Sequence, residues 1–332
     1  MKNCVSAFFA ITGTVIGSGF ISGKEIVVFF SRFGFLSFPC IFLSFFVLFF
    51  LFKYILNRGE RALNRLKNSK ISFFINLLLC LIFSSAMFAG MGDLLCFNNK
   101  ILSFVIFFAI ISLCLFVFVK GLGGLNKLNF IFVPLMTVVF AILLFTTIKP
   151  QPIELESSFG GLSIFYCLLY CVMNTANGGV MIAEFSAKLS SRQKTQVAFF
   201  SALALSVLLL IANLVLLQNP NSFEQTMPTL SLFDGVAGLI MTIMVFIGCL
   251  TTLLTLTYTL SSSMKGLCKN DVLNLGVSIL LPLILSLLGF DFIVEYLYPL
   301  ASIFGLYILF DLFFRSSKKS KFKGFFSKIK SN

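Results

Sequence analysis

The chain is built of long apolar runs separated by short polar ones. Ten runs stand out, at about 5–32, 35–56, 71–95, 101–119, 128–148, 161–187, 196–217, 234–262, 272–289 and 293–314. A bilayer core of ~30 Å takes about 20 apolar residues per helix, and the runs match that length. They are continuously apolar rather than alternating, which excludes transmembrane strands. The first run is too long and too rich in glycine for a signal peptide, and no cleavage site follows it. The pattern therefore predicts an all-α integral membrane protein of ten transmembrane helices.

Two of the runs carry polar interruptions near their middles. The first reads Gly13-Thr14-Val15-Ile16-Gly17-Ser18-Gly19-Phe20, followed by Ser22-Gly23-Lys24-Glu25. The sixth reads Asn174-Thr175-Ala176-Asn177-Gly178-Gly179. Each glycine costs a helix ~1 kcal/mol relative to alanine. Unwound backbone at membrane depth survives only where protein buries it or a cavity runs beside it. Interrupted spans in corresponding places of two halves point to a transporter binding site. Gly17 and Gly178 stand 161 residues apart, close to half the chain. Five spans separate them, so the second half starts from the opposite side of the membrane. The expectation is a 5+5 inverted repeat: residues 1–150, then residues 151–315, with the first and sixth helices broken at mid-membrane and residues 316–332 as a basic tail. The same glycines also suit close helix packing, Gly13-xxx-Gly17 being a small-xxx-small pattern.

Composition agrees with the runs. Of the 332 residues 58% are hydrophobic and 11% charged, and the mean hydropathy is +1.03. A soluble domain carries roughly 25% charged residues. The net charge of +13 reads as topology rather than nucleic-acid binding. With both termini inside, twenty of the 25 Lys and Arg fall in inside segments, while Lys100 and Lys149 face outward. That asymmetry follows the positive-inside rule and predicts cytoplasmic N- and C-termini in the cell (inner or plasma) membrane. The tail interleaves lysines with Phe322, Phe325 and Phe326, which suits either a stop-anchor or contact with anionic lipid.

Chemistry is limited by what is missing. The chain has no His and an odd number of cysteines, nine, without a CxxC pair. Imidazole shuttles, His-ligated metals, zinc sites and disulfide frameworks do not fit. With no deep carboxylate pair either, an enzyme is not expected. Charged rings of the kind that line channel filters are not found.

The stretch Gly17-Ser18-Gly19-Phe20, with Ser22-Gly23-Lys24-Glu25-Ile26, resembles the first helix of the YkvI-like membrane proteins, of the amino acid–polyamine–organocation superfamily with the LeuT-type fold. The resemblance implies a secondary transporter working by alternating access. In sodium-coupled members of this fold an ion lies between the first and eighth helices, and the eighth carries a small-x-x-[Ser/Thr]-[Ser/Thr] pattern. Gly248-Cys249-Leu250-Thr251-Thr252 is similar to it. The resemblance thus implies a Na⁺ held by the carbonyls of Gly13, Ile16 and Gly248 and the hydroxyls of Thr251 and Thr252. Oxygen ligands suit a hard cation. Equally, those threonines can bond back to carbonyls one turn earlier. Phe20 stands where relatives with a second sodium have Asn, which speaks against a second ion. The fifth run, from Asn129 to Thr147, has no Lys to act as a substitute cation.

Substrate is expected between the two breaks, at Gly17, Ser18, Gly19, Asn174, Thr175, Asn177 and Gly178. Half-helix N-termini after Gly19 and Gly179 would hold a carboxylate, and the opposing carbonyl ends an ammonium. An amino acid or a related zwitterion or amine satisfies both. Glu25 and Glu184 each follow a break by six residues, ~9 Å along a helix, and are gate candidates. Lys24 and Lys188 are near enough in sequence to neutralise them instead. Asp93, Glu295 and Asp311 lie at span ends and read as interfacial, Asp311 being able to pair with Arg315. The segment from Asn219 to Asp234 resembles the lid between the seventh and eighth helices of this fold, which would plug the outer vestibule with Met227-Pro228-Thr229-Leu230; an ordinary exposed loop is the alternative. The expected function is a sodium-coupled symporter with no other cofactor. A proton-coupled carrier of this fold and a ligand sensor that does not transport are the alternatives.

Overall fold

The computed structural model describes residues 2–94, 109–113, 116, 122–148, 160–264 and 270–311. Most of the fourth run, the loops holding Lys100 and Lys149, Arg315 and the basic tail lie outside the described residues. So do the side chains of Ser18 and Glu184.

Among the described residues the chain is helical and contains no strand. The helices are α1 (Lys2–Val15), α2 (Ser18–Ile21), α3 (Lys24–Phe29), α4 (Ser37–Asn68), α5 (Lys70–Leu94), α6 (Leu122–Thr147), α7 (Gly160–Glu184), α8 (Ser191–Leu217), α9 (Gly235–Met264), α10 (Asp271–Ser286), α11 (Phe290–Phe292) and α12 (Tyr298–Phe310). A π turn, Ile293–Leu297, joins the last two. Five stretches are long and apolar enough to cross a membrane: Ser31–Gly59, Lys70–Leu94, Ser191–Leu217, Gly235–Met264 and Phe290–Phe310. Large apolar side chains such as Phe42, Phe50, Ile142 and Ile284 point outward, as lipid-facing positions do.

α1 packs against α6, α7 and α8, and α4 against α7 and α8. α5 packs against α9, α10 and α12, while α12 also reaches α7. A buried polar link ties the turn after α3 to α8. Ser31 Oγ donates to Asn213 Oδ1 at 2.9 Å, and Asn213 Nδ2 donates to Ser37 Oγ at 2.8 Å.

The first run is broken, as its glycines predict. Gly17 N–H turns to Val15 O at 2.8 Å instead of to Gly13 O, and the helix resumes only at Ser18. A second break follows at Ser22-Gly23, where Gly23 adopts φ +81°, a left-handed conformation that glycine takes without steric cost.

The sixth run corrects the expectation. α7 runs unbroken from Gly160 to Glu184, through Asn174-Thr175-Ala176-Asn177-Gly178-Gly179. Its polar side chains join the helix rather than unwind it: Asn174 Nδ2 donates to Tyr170 O at 3.0 Å and Thr175 Oγ1 to Cys171 O at 2.7 Å. Such one-turn-back bonds occupy groups that would otherwise compete with the helix. Gly178 serves close packing instead. A Cβ there would stand 2.6 Å from Thr14 Oγ1 of α1.

Asp311, at the end of the last span, is buried, and its Oδ2 accepts from Ser72 Oγ of α5 at 3.0 Å.

Candidate functional site

The break after α1 lies beside α7 and α9. Asn177 Nδ2 reaches across from α7 to Thr14 O, at a long 3.5 Å. A methyl placed on Gly17 would stand 3.3 Å from Thr252 Oγ1 of α9. Between them lies a cavity of about 20 Å³ lined by Thr14, Val15, Gly17, Glu25, Phe83, Met87, Met173, Asn174, Asn177, Thr252 and Tyr298. That volume holds one water-sized occupant.

Five expected site residues therefore line one cavity: Gly17, Glu25, Asn174, Asn177 and Thr252. Others go elsewhere. Thr175 is buried and bonded within α7. Gly13 backs onto α6, where a Cβ would meet Val133. The two threonines of α9 part company. Thr251 Oγ1 donates back to Ile247 O at 3.0 Å, whereas Thr252 lines the cavity. Phe20 packs edge-on against Phe140 of α6, centroids 6.0 Å apart.

Glu25 does not sit at a distance from the break. Its carboxylate folds back so closely over Gly19 that any Cβ on Gly19 would collide with it. Glu25 is 6% exposed, it lines the cavity, and its Oε2 is buried without a hydrogen-bond partner. Nor does Lys24 neutralise it. Lys24 Nζ pairs with Asp291 Oδ1 at 2.8 Å and donates to Gln225 O at 3.3 Å. Sequence spacing missed this, because Asp291 lies more than 260 positions away.

The segment 219–234 docks on the broken run. Thr229 N–H donates to Ser22 O at 2.9 Å, and Thr229 Oγ1 donates to Ile21 O. Met227 and Thr229 are buried. Thr226 Oγ1 donates to Asp291 Oδ2 at 2.9 Å, so one carboxylate joins α3, the lid and α11. Chain segments some 200 residues apart thus meet at the second break of the first run.

The chain matches no protein-family model and no curated protein.

The lid is testable by itself. Thr229→Val keeps the shape but strands the buried carbonyl of Ile21. Losing a buried hydrogen-bond partner costs about 1–3 kcal/mol. The purified variant is expected to unfold at a lower temperature, with Ser231→Ala, at an exposed neighbouring position, changing it far less.

Proposed function

We propose that this protein is a secondary carrier of a small amine or amino acid, working by alternating access across a cell membrane and coupled to sodium. The observation that carries the reading is the twice-broken first run, whose break meets α7 and α9 at a buried polar cavity. Broken helices beside such cavities are a hallmark of membrane transporters.

Helix packing supports an inverted repeat. Exchanging each half for the other maps α1 onto α7, α4 onto α8, α5 onto α9 and α6 onto α12. The contact of α1 with α8 then corresponds to α7 with α4, that of α1 with α6 to α7 with α12, and that of α9 with α6 to α5 with α12; all six contacts are present. Continuity of α7 makes the two halves unequal, so in this reading the first run moves and α7 acts as the wall. The resemblance to YkvI-like proteins, carried by residues 17–26, agrees with it.

Sodium would sit at the end of α1, where Gly17 stands beside Thr252 of α9; the resemblance would add the carbonyls of Gly13, Ile16 and Gly248 and the hydroxyl of Thr251 as ligands. The substrate's amine would approach Asn174, Asn177 and the carbonyl end of α1. A space of about 20 Å³ is far below the ~300 Å³ of an ordinary ligand site. Loading therefore requires the lid and α2–α3 to move. Lys24–Asp291 and the Thr229 bonds are the contacts that would open. Coupling to protons is the second reading, favoured by the position of Glu25 in the cavity.

The test is uptake into proteoliposomes of amino acids and primary amines under an inward sodium gradient. Accumulation that collapses without the gradient supports the reading. Uptake driven by a proton gradient alone selects the second one. Saturable binding without flux under either gradient would make the protein a sensor and overturn both.

A further inference from the structure

We infer that Glu25 is the anionic ligand of a site for one compact monovalent cation, either an inorganic ion or the ammonium head of the substrate. The inference deepens the carrier reading and rests on the same cavity, but binding is measurable without transport.

An ionised carboxylate out of water costs several kcal/mol unless it is paired. Glu25 is buried, and Oε2 finds no hydrogen-bond donor. Among the described residues no Lys or Arg lines the cavity, and the adjacent Lys24 is committed to Asp291. Among the described residues the only other titratable group lining it is the Tyr298 phenol.

The remaining polar walls offer acceptors. Asn174 and Asn177 each turn an N–H toward a backbone carbonyl, of Tyr170 and Thr14. Thr14 spends its hydroxyl proton on Ile11 O at 2.8 Å. These side chains keep oxygen lone pairs, and the carbonyl end of α1, the negative end of its dipole, faces the same space. A carboxylate, amide oxygens and hydroxyl oxygens around a small void make a set that attracts a hard cation or an ammonium. The volume, about 20 Å³, admits one such group and no more.

An anion is disfavoured by the same features. The helix N-terminus expected after Gly179 does not exist in the continuous α7, and α2 has four residues. The zwitterion's carboxylate loses one of its two expected anchors, whereas the cationic end gains Glu25.

The experiment follows the thermal unfolding of purified protein in detergent. NaCl, LiCl, KCl, methylammonium chloride and ethylammonium chloride are titrated against choline chloride at fixed ionic strength. Wild type is expected to gain stability saturably with at least one of them over choline. Glu25→Gln, nearly isosteric and neutral, should weaken that cation's binding at least tenfold. Infrared difference spectra should show a carboxyl band that responds to the cation in wild type and is missing from the variant. A response to alkylammonium ions alone makes the cation the substrate's head group; a response to Na⁺ or Li⁺ alone makes it the coupling ion. If wild type shows no saturable response above choline, the inference is wrong, whether or not Glu25→Gln folds. It is equally wrong if the response survives undiminished in Glu25→Gln; its loss in Thr252→Ala would then assign the ion to α9. Cation binding without any uptake would leave this site standing while removing the carrier reading.

Discussion

Gly178→Leu is expected to abolish uptake and to lower stability by about 2–3 kcal/mol. The first atom added at this position already stands 2.6 Å from Thr14 Oγ1 and 3.3 Å from Thr14 Cβ. Gly178 is buried and Thr14 half-buried, so the added atoms press on α1. Forcing extra volume into a packed interior costs about 1–3 kcal/mol, and leucine adds three more carbons beyond the Cβ. The push falls on α1 one turn before its break. It should also pull Thr14 O away from Asn177 and deform the cavity between them. Thermal unfolding and uptake measure the two effects. Gly161→Ala in the same helix is the control: nothing lies within 4 Å of a Cβ there. A surface change of that kind shifts stability by less than about 0.5 kcal/mol. Equal behaviour of the two variants would mean that α1 and α7 do not meet as described.

The second large effect separates two adjacent threonines. Thr252→Ala is expected to raise the sodium concentration for half-maximal uptake by roughly 10- to 100-fold. Thr251→Ala should raise it much less. Thr252 faces Gly17 across the cavity, while the Thr251 hydroxyl already donates to Ile247 O within α9. A lost polar contact to a charge costs about 1.5–3 kcal/mol, which converts to that range of affinity. An equal response of both threonines would favour the ligand set implied by family resemblance, with Thr251 turned toward the ion. An unchanged response in both would remove sodium from α9.

Much of this was legible in the sequence because it depends on local composition. The apolar runs give the helices, and Gly17 and Gly23 mark both ends of α2. The lid residues Met227 and Thr229 could be picked out because they interrupt two spans with prolines nearby. The continuity of α7 could not be read in the same way. A glycine pair lowers helix propensity by ~2 kcal/mol, but unpairing backbone groups away from water costs several kcal/mol per group. Asn174 and Thr175 tip that balance by bonding back along their own helix. The fate of Glu25 was equally hidden. Its neighbour Lys24 suggested a local pair, and only the tertiary position of Asp291 draws the lysine away. Thr251 and Thr252 look equivalent as residues; their difference is the direction each faces on α9.

The lid has a consequence for how the protein is made. Ser22 O and Ile21 O receive their donors from Thr229, 207 and 208 positions later in the chain. A ribosome adding roughly 5–20 residues per second reaches that threonine about 10–40 seconds after the first run has emerged. Throughout that interval these carbonyls lack their final partner, and Glu25 lacks the walls supplied by α7 and α9. A lipid environment tolerates such groups poorly. The first run is therefore expected to wait at the membrane surface or beside an insertion factor, and to take up its final depth only once the second half has been synthesised.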